Sequence, residues 1–299
     1  MSARAVAVVV AGMIAVVGAC SSASSAPTTT AAPTTTTAPA SSTVPGGSST
    51  TTTETPGFTS GGFRTRRAGV LIVGTERLDP PWYVASHAGA VSGGFEYDLV
   101  AELARRLGVP TVAVVPTSLV LMMTGQDCKC DVMLSGIAIT DARARSLDLS
   151  EPYMSADQAV LVRKGTTIRT AAAAAALRWG VALRNGTGTD VVQNRIKPTA
   201  GADVVVNEDE GARRLAAGTI DAMVLDAPEA VAMANRNAAF AVAGQYKTGD
   251  QYAVALSLGS PNTALINDVM RGMRSDGTID TLVRAYFGMD PSKIPAIGP

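Results

Sequence analysis

Gly69-Val-Leu-Ile-Val-Gly74 and Gly180-Val-Ala-Leu183 are two short apolar runs, and each opens an alternation of strands and helices. Runs this short and continuously apolar read as strands buried in a core. After the first, Leu99, Val100, Leu103, Ala104 and Leu107 recur at helical spacing and the pattern stops at Gly108. That predicts a helix over 95–107. A strand over 111–115, a helix over 119–123 and a strand over 131–135 follow, then a β-rich run over 158–163. After the second run come Gly186-Thr-Gly188-Thr189 and a helix, a strand over 204–206, a helix over 210–217 and a strand over 222–225. Residues 171–176 are six alanines that fit either a helix or a slack loop. Alternating strands and helices imply parallel sheets with right-handed crossovers, and the double start implies two α/β lobes.

Composition removes several functions. The 299 residues carry 25 Lys+Arg against 25 Asp+Glu, so there is no cationic excess to neutralise nucleic-acid phosphates. At 4% aromatic residues, stacking platforms for single strands are also scarce. One histidine, His87, and three cysteines leave no material for a His-rich metal site or a Cys-rich zinc site. No cofactor motif stands out. Gly186-Thr-Gly188-Thr189 lacks the third glycine and acidic partner of a dinucleotide fingerprint.

The first sixty-odd residues are an address and a tether. Arg4 precedes an apolar stretch over 5–17, the pattern of a signal peptide over 1–19 and too short for a spanning helix. Val17-Gly18-Ala19-Cys20 resembles the bacterial lipobox, which implies cleavage before Cys20 and acylation of its thiol; the other reading is an ordinary secretory signal. Acyl chains contribute roughly 0.8 kcal/mol per buried CH₂ and hold a protein on a membrane without a span. From Cys20 to residue 66 the chain is Ser, Thr, Ala, Pro and Gly with few charges, and it cannot bury enough apolar surface to fold. About forty such residues span roughly 35 Å.

Four motifs then carry a family resemblance. Gly94-Phe-Glu-Tyr-Asp-Leu99, Asp131-Val-Met-Leu-Ser-Gly-Ile-Ala-Ile-Thr-Asp-Ala-Arg143, Leu147-Asp-Leu-Ser-Glu-Pro-Tyr153, and Arg274-Ser-Asp-Gly-Thr-Ile279 with Tyr286-Phe-Gly288 occur in this order. They resemble motifs of the extracellular solute-binding proteins of family 3, the amino-acid receptors of bacterial ABC importers. The resemblance covers about 70–288. It implies a type II periplasmic-binding fold, α/β, with two lobes joined by two hinge strands near 156–163 and 247–254. Lobe I would comprise 67–157 and the return over 247–288, lobe II would comprise 158–246, and 289–299 would be a tail. It also implies a lipid-anchored monomer on the outer face of the cytoplasmic membrane, delivering a polar L-amino acid to a permease and its ATPase.

The same resemblance assigns a ligand site. An amino acid needs a fixed cation for its carboxylate and a fixed anion for its ammonium. Arg143 matches the family's carboxylate-binding arginine, whose planar fork meets both oxygens. Asp226 ends an apolar run before Ala227-Pro228 and matches the ammonium-binding aspartate, while also fitting a helix N-cap. Gly136 and Ala138 lie in the Arg143 motif, with Ala138 where the family carries Ser or Thr. Gly188 and Thr189 resemble a helix-opening loop of glutamine-binding proteins whose backbone N–H meets the carboxylate; an ordinary turn is the alternative. Arg184 falls where those receptors place a lysine against the side-chain carbonyl. Glu76 keeps an acidic position of the first loop, while Asp79 and Ser118 replace aromatics that flank the ligand. Trp82 and Tyr83 either form an aromatic wall or pack inside lobe I.

These substitutions make the predicted pocket polar. They rank glutamine and asparagine slightly above glutamate and aspartate, with cationic amino acids as the rival. Cys128 and Cys130 sit close enough for a local disulfide and otherwise stay as paired thiols; without His partners they make a poor metal site. The competing functions are a cyclohexadienyl dehydratase on the same fold, with Glu76 or Asp79 as general acid, and a ligand-sensing lipoprotein without transport.

Overall fold

The computed structural model describes residues 57–58, 62–86, 90–182 and 186–297. Cys20, the 1–56 segment, His87 and Arg184 lie outside the described residues. Two five-stranded sheets define two α/β lobes. In lobe I the order is Thr111–Pro116, Val70–Thr75, Val132–Met133, Ala255–Ser257, Leu147–Leu149. In lobe II it is Ala202–Val205, Trp179–Ala182, Ala222–Asp226, Gln158–Arg163, Phe240–Tyr246. The first three strands of each sheet are parallel, with Val70 opposite Thr111 and Trp179 opposite both Ala202 and Ala222.

The sheets are mixed rather than purely parallel. Each takes as its fourth strand one that runs antiparallel to both neighbours, Ala255–Ser257 in lobe I and Gln158–Arg163 in lobe II. Both follow an extended crossing from the other lobe, and no helical crossover turns them into the parallel direction. Between the sheets Met154–Ser155 pairs antiparallel with Gln251–Tyr252. The first crossing therefore precedes the Gln158–Arg163 strand instead of running through it. The chain then passes between the lobes a third time and reaches lobe II again. Beyond the helix Thr278–Phe287, the Gln245 amide donates to Pro295 O at 2.9 Å and the Ile297 amide to Gln245 O at 2.8 Å, covering the edge strand Phe240–Tyr246.

Local chemistry explains the elements that carry the site. Helix Phe95–Arg106 buries Leu99, Val100, Leu103 and Ala104 against the lobe I sheet. It starts at Gly94, whose φ of 113° and contact with Trp82 O exclude a Cβ. Ala171–Ala175 is helical, with Thr170 accepting from the Ala173 amide as its cap. Cys128 and Cys130 are buried and joined by a disulfide, their Cα atoms 5.3 Å apart.

Candidate functional site

A cleft of about 630 Å³ lies between the lobes. From lobe I it is lined by Glu76 and Arg77 after strand Val70–Thr75, by Ser118, Leu119, Val120 and Met123 around helix Leu119–Met123, and by the loop from Ser135 to Arg143. From lobe II come Gly186, Thr187, Glu208, Asp226 and Glu229, and Asp250 and Tyr252 flank the second crossing. Arg143, Asp226, Gly136, Ala138, Glu76 and Ser118 are thus brought to one cavity from opposite lobes.

Arg143 sits in the four-residue helix Asp141–Ala144, capped by Thr140, which accepts from the Arg143 amide at 3.2 Å. Its Nη1 donates to Ala138 O at 2.7 Å, so the side chain folds back along the loop that precedes it. Among the described residues no other partner of its fork is found, and Arg143 lines the cleft, as a carboxylate site requires.

Asp226 is the N-cap residue of helix Ala227–Arg236 by position, yet its side chain makes no capping bond. Instead Gln158, directly opposite in the sheet register, donates Nε2 to Oδ1 at 2.7 Å, and Tyr252 donates its hydroxyl to Oδ2 at 2.5 Å. Burial pushes the Asp226 carboxyl above its ordinary pKa, opposed by these two bonds and reinforced by nearby Asp250 and Glu229. A cationic group in the cleft would favour its ionised form.

Glu76 accepts from the Ser118 hydroxyl and the Leu119 amide, both at 3.0 Å, which fixes one oxygen at the start of helix Leu119–Met123. Ser118 therefore lines the cleft as the partner of Glu76 and as the cap of that helix.

Two expectations are corrected, and one left open is decided. Asp79 does not line the cleft: both of its oxygens pair with Arg77, at 3.1 and 2.9 Å. Gly188 and Thr189 do not line it either. The helix Gly186–Asp190 starts two residues earlier, so Gly186 and Thr187 face the cleft while Gly188 is buried. Of the two readings of Trp82 and Tyr83, packing inside lobe I holds, since both are wholly buried. Trp82 packs against Phe95, Tyr252 and Phe287.

The sequence reading missed a charged cluster that crosses the lobes. Arg77 donates to Glu229 Oε2 at 3.0 Å, Trp82 donates its indole N–H to the same oxygen at 3.1 Å, and Arg236 lies 3.5 Å from Glu229 Oε1. Arg236 also donates to Pro80 O. Burial works against the Arg77 charge, but Glu229 and Asp79 outweigh it and hold its pKa above the ordinary arginine value. Arg77 adjoins Glu76 in sequence, the one signal that could have marked it. Glu229 stands 152 residues away. Among the described residues no group of three or more His, Cys, Asp or Glu is arranged to hold a metal ion, and no helix is long and apolar enough to cross a membrane.

Comparison with known proteins agrees with this architecture. The family described as bacterial extracellular solute-binding proteins, family 3, matches residues 71–289. The chain is 31% identical over 237 residues to the L-cystine-binding protein TcyJ of Escherichia coli (strain K12), covering 77% of this chain and 87% of that protein. It is 26% identical to the ABC transporter glutamine-binding protein GlnH of Bacillus subtilis (strain 168), covering 67% and 74%. Among solved structures, an ancestral arginine-binding protein bound to glutamine superposes with a TM-score of 0.59 at 30% identity, covering 74% of this chain and 99% of that one. An ancestral cationic amino-acid solute-binding protein gives 0.62 at 30%, covering 73% and 96%.

Proposed function

Since the chain belongs to the bacterial extracellular solute-binding proteins of family 3, we propose that it captures a free polar L-amino acid between its lobes and delivers it to an ABC permease. The observation that carries this reading is the placement of Arg143 and Asp226 on one cleft from opposite lobes. Arg143 takes the α-carboxylate and Asp226 the α-ammonium, so a ligand that spans the cleft closes the lobes upon itself. Charge-assisted bonds of this kind contribute about 1.5–3 kcal/mol each. A micromolar site needs about 8 kcal/mol, so two such contacts plus burial of the side chain suffice. The cleft volume suits a small ligand.

The side-chain preference follows from the lining. Glu76, Glu208, Asp226, Glu229 and Asp250 face Arg77 and Arg143, and Arg77 is already engaged by Asp79 and Glu229. Like charges disfavour glutamate and aspartate, which leaves glutamine and asparagine of the four polar candidates. The same carboxylate excess favours a second reading, a cationic side chain, in keeping with the similarity to the ancestral cationic amino-acid solute-binding protein. The dehydratase alternative is weakened because Glu76 is held by Ser118 and Leu119, while Asp79 is paired away from the cleft.

Acylation at Cys20 would keep the receptor on the outer face of the cytoplasmic membrane, next to the permease. Cys20→Ala should move the protein out of the detergent-rich phase. Calorimetric titration with the twenty amino acids and L-cystine tests the receptor reading. One or more should saturate with a micromolar or tighter Kd, and binding by none contradicts it. Formation of phenylalanine or phenylpyruvate from arogenate or prephenate would favour the enzyme instead.

A further inference from the structure

Glu96 is fully buried in the first turn of helix Phe95–Arg106, behind the cleft and out of contact with its cavity. Its Oε1 accepts two bonds, from the Gly136 amide at 2.8 Å and from the Tyr153 hydroxyl at 2.5 Å. Its Oε2 is buried without a hydrogen-bond partner. Burial raises its pKa, and the bonds from Tyr153 and Gly136 oppose that rise without cancelling it. A lone buried carboxylate is costly, so burial favours the neutral form of this side chain.

The two donors belong to the two parts that must be registered for the cleft to work. Gly136 lines the cavity with a left-handed φ of 59°, and a Cβ there would reach 3.4 Å from the Tyr252 ring. The loop around it is held on its other edge by the second crossing, through Ala253 N to Ile137 O at 2.9 Å and Ile139 N to Gln251 O at 2.8 Å. Ala138, in the same loop, receives the Arg143 guanidinium. Tyr153 directly precedes Met154–Ser155, the strand of the first crossing. One oxygen atom thus joins the ligand-facing loop to the hinge.

We propose that Glu96 is the positioning residue of the cleft, holding the 135–140 loop, and through Ala138 the Arg143 guanidinium, in register with the hinge. The inference rests on the reading of the cleft as an amino-acid site, and Glu96 acts through Gly136 and Tyr153 rather than on the ligand. A side chain that only fills the core would change global stability without a local signature.

Hydrogen exchange on the ligand-free full chain, read peptide by peptide, separates these roles. In Glu96→Ala the amides over 134–140 should exchange about tenfold faster or more, while peptides from the lobe II sheet keep their rates. Glu96→Gln should restore slow exchange, because its carbonyl can accept both bonds. Tyr153→Phe, which removes one donor and no volume of consequence, should give a smaller acceleration confined to the same segment. Wild-type rates over 134–140 in both Glu96→Ala and Tyr153→Phe, or acceleration spread evenly over both lobes, would overturn the proposal. If Glu96→Ala does not fold, wild-type rates in Tyr153→Phe alone overturn it. Titration with L-glutamine and L-arginine runs alongside: failure of wild type to bind either counts against that choice of ligand, while the exchange rates still decide the role of Glu96.

Discussion

Tyr252 and Asp226 meet where the second crossing passes the end of the central lobe II strand, the phenol donating to Asp226 Oδ2 at 2.5 Å. Gln158, the first residue of the strand that follows the first crossing, takes the other oxygen at 2.7 Å. The second crossing and the start of that strand therefore orient the carboxylate assigned to the ligand ammonium.

Asp226→Asn keeps the size and one acceptor but removes the charge. Amino-acid affinity should fall at least tenfold, about 1.4 kcal/mol or more, by calorimetry. The melting temperature of the ligand-free protein should hold or rise, since a buried carboxyl with a raised pKa no longer has to be accommodated. Unchanged affinity would remove Asp226 from the site.

Stability should depend on pH in a defined direction. Glu96 and Asp226 both have folded pKa values raised by burial. Below the ordinary carboxylate range both are protonated in the folded and the unfolded chain, and stability is full. As pH rises, the unfolded chain releases these protons first, and stability is lost through the folded pKa values. Glu96 is faced by Tyr153, Tyr83, Arg77 and Asp79. Tyr83 and Tyr153, raised by burial, stay neutral across the range, and Arg77 stays charged. Asp157 acts oppositely. Despite its burial, bonds from the Gly249 and Thr248 amides and from Lys247 lower its pKa, so its contribution is lost as pH falls through that value. Thermal melts of ligand-free protein should decline as pH rises above the ordinary carboxylate range, and Glu96→Gln should flatten the decline. In a domain of this size about 1 kcal/mol moves Tm by about 2–4 °C.

Glu229→Ala should loosen the contact between the lobes. It removes the acceptor shared by Arg77 and the Trp82 indole and leaves a largely buried Arg77 with Asp79 alone. Losing one partner of a buried pair costs about 3–5 kcal/mol in a fully desolvated site, and less here because Asp79 remains. Small-angle scattering of the ligand-free protein should give a larger radius of gyration than wild type. An identical radius would mean that the cluster does not restrain the lobes.

Removing residues 289–299 deletes the third passage of the chain between the lobes and exposes the edge strand Phe240–Tyr246. Gln245 loses its bonds with Pro295 and Ile297, and its buried side chain loses Ile294 O as an acceptor. Exchange of the 240–246 amides should accelerate strongly, while helix Phe95–Arg106 keeps its protection.

Fold and site differ in how far they could be read from the chain. Strand Gln158–Arg163 and helix Leu119–Met123 follow their apolar runs residue for residue, because local burial decides both. The cleft depends on contacts that no local pattern records. Gln158 finds Asp226 through register, 68 positions away, and Arg77 finds Glu229 across the two lobes, 152 positions away. The miss at Gly188 and Thr189 is a two-residue error in where a helix begins, enough to turn a ligand contact into a core position. Asp79 could be placed on the right loop, but its capture by Arg77 could not be foreseen from either residue alone.

The most direct test compares wild type with Arg143→Ala in calorimetric titrations with the amino acid that wild type binds most tightly. If Arg143 reads the α-carboxylate, its loss leaves that carboxylate desolvated and unpaired, a cost of about 3 kcal/mol or more. Affinity should fall by about a hundredfold or more, with the melting temperature of the ligand-free protein little changed. A loss smaller than about tenfold would contradict the assignment of Arg143 and, with it, the placement of the ligand between Arg143 and Asp226.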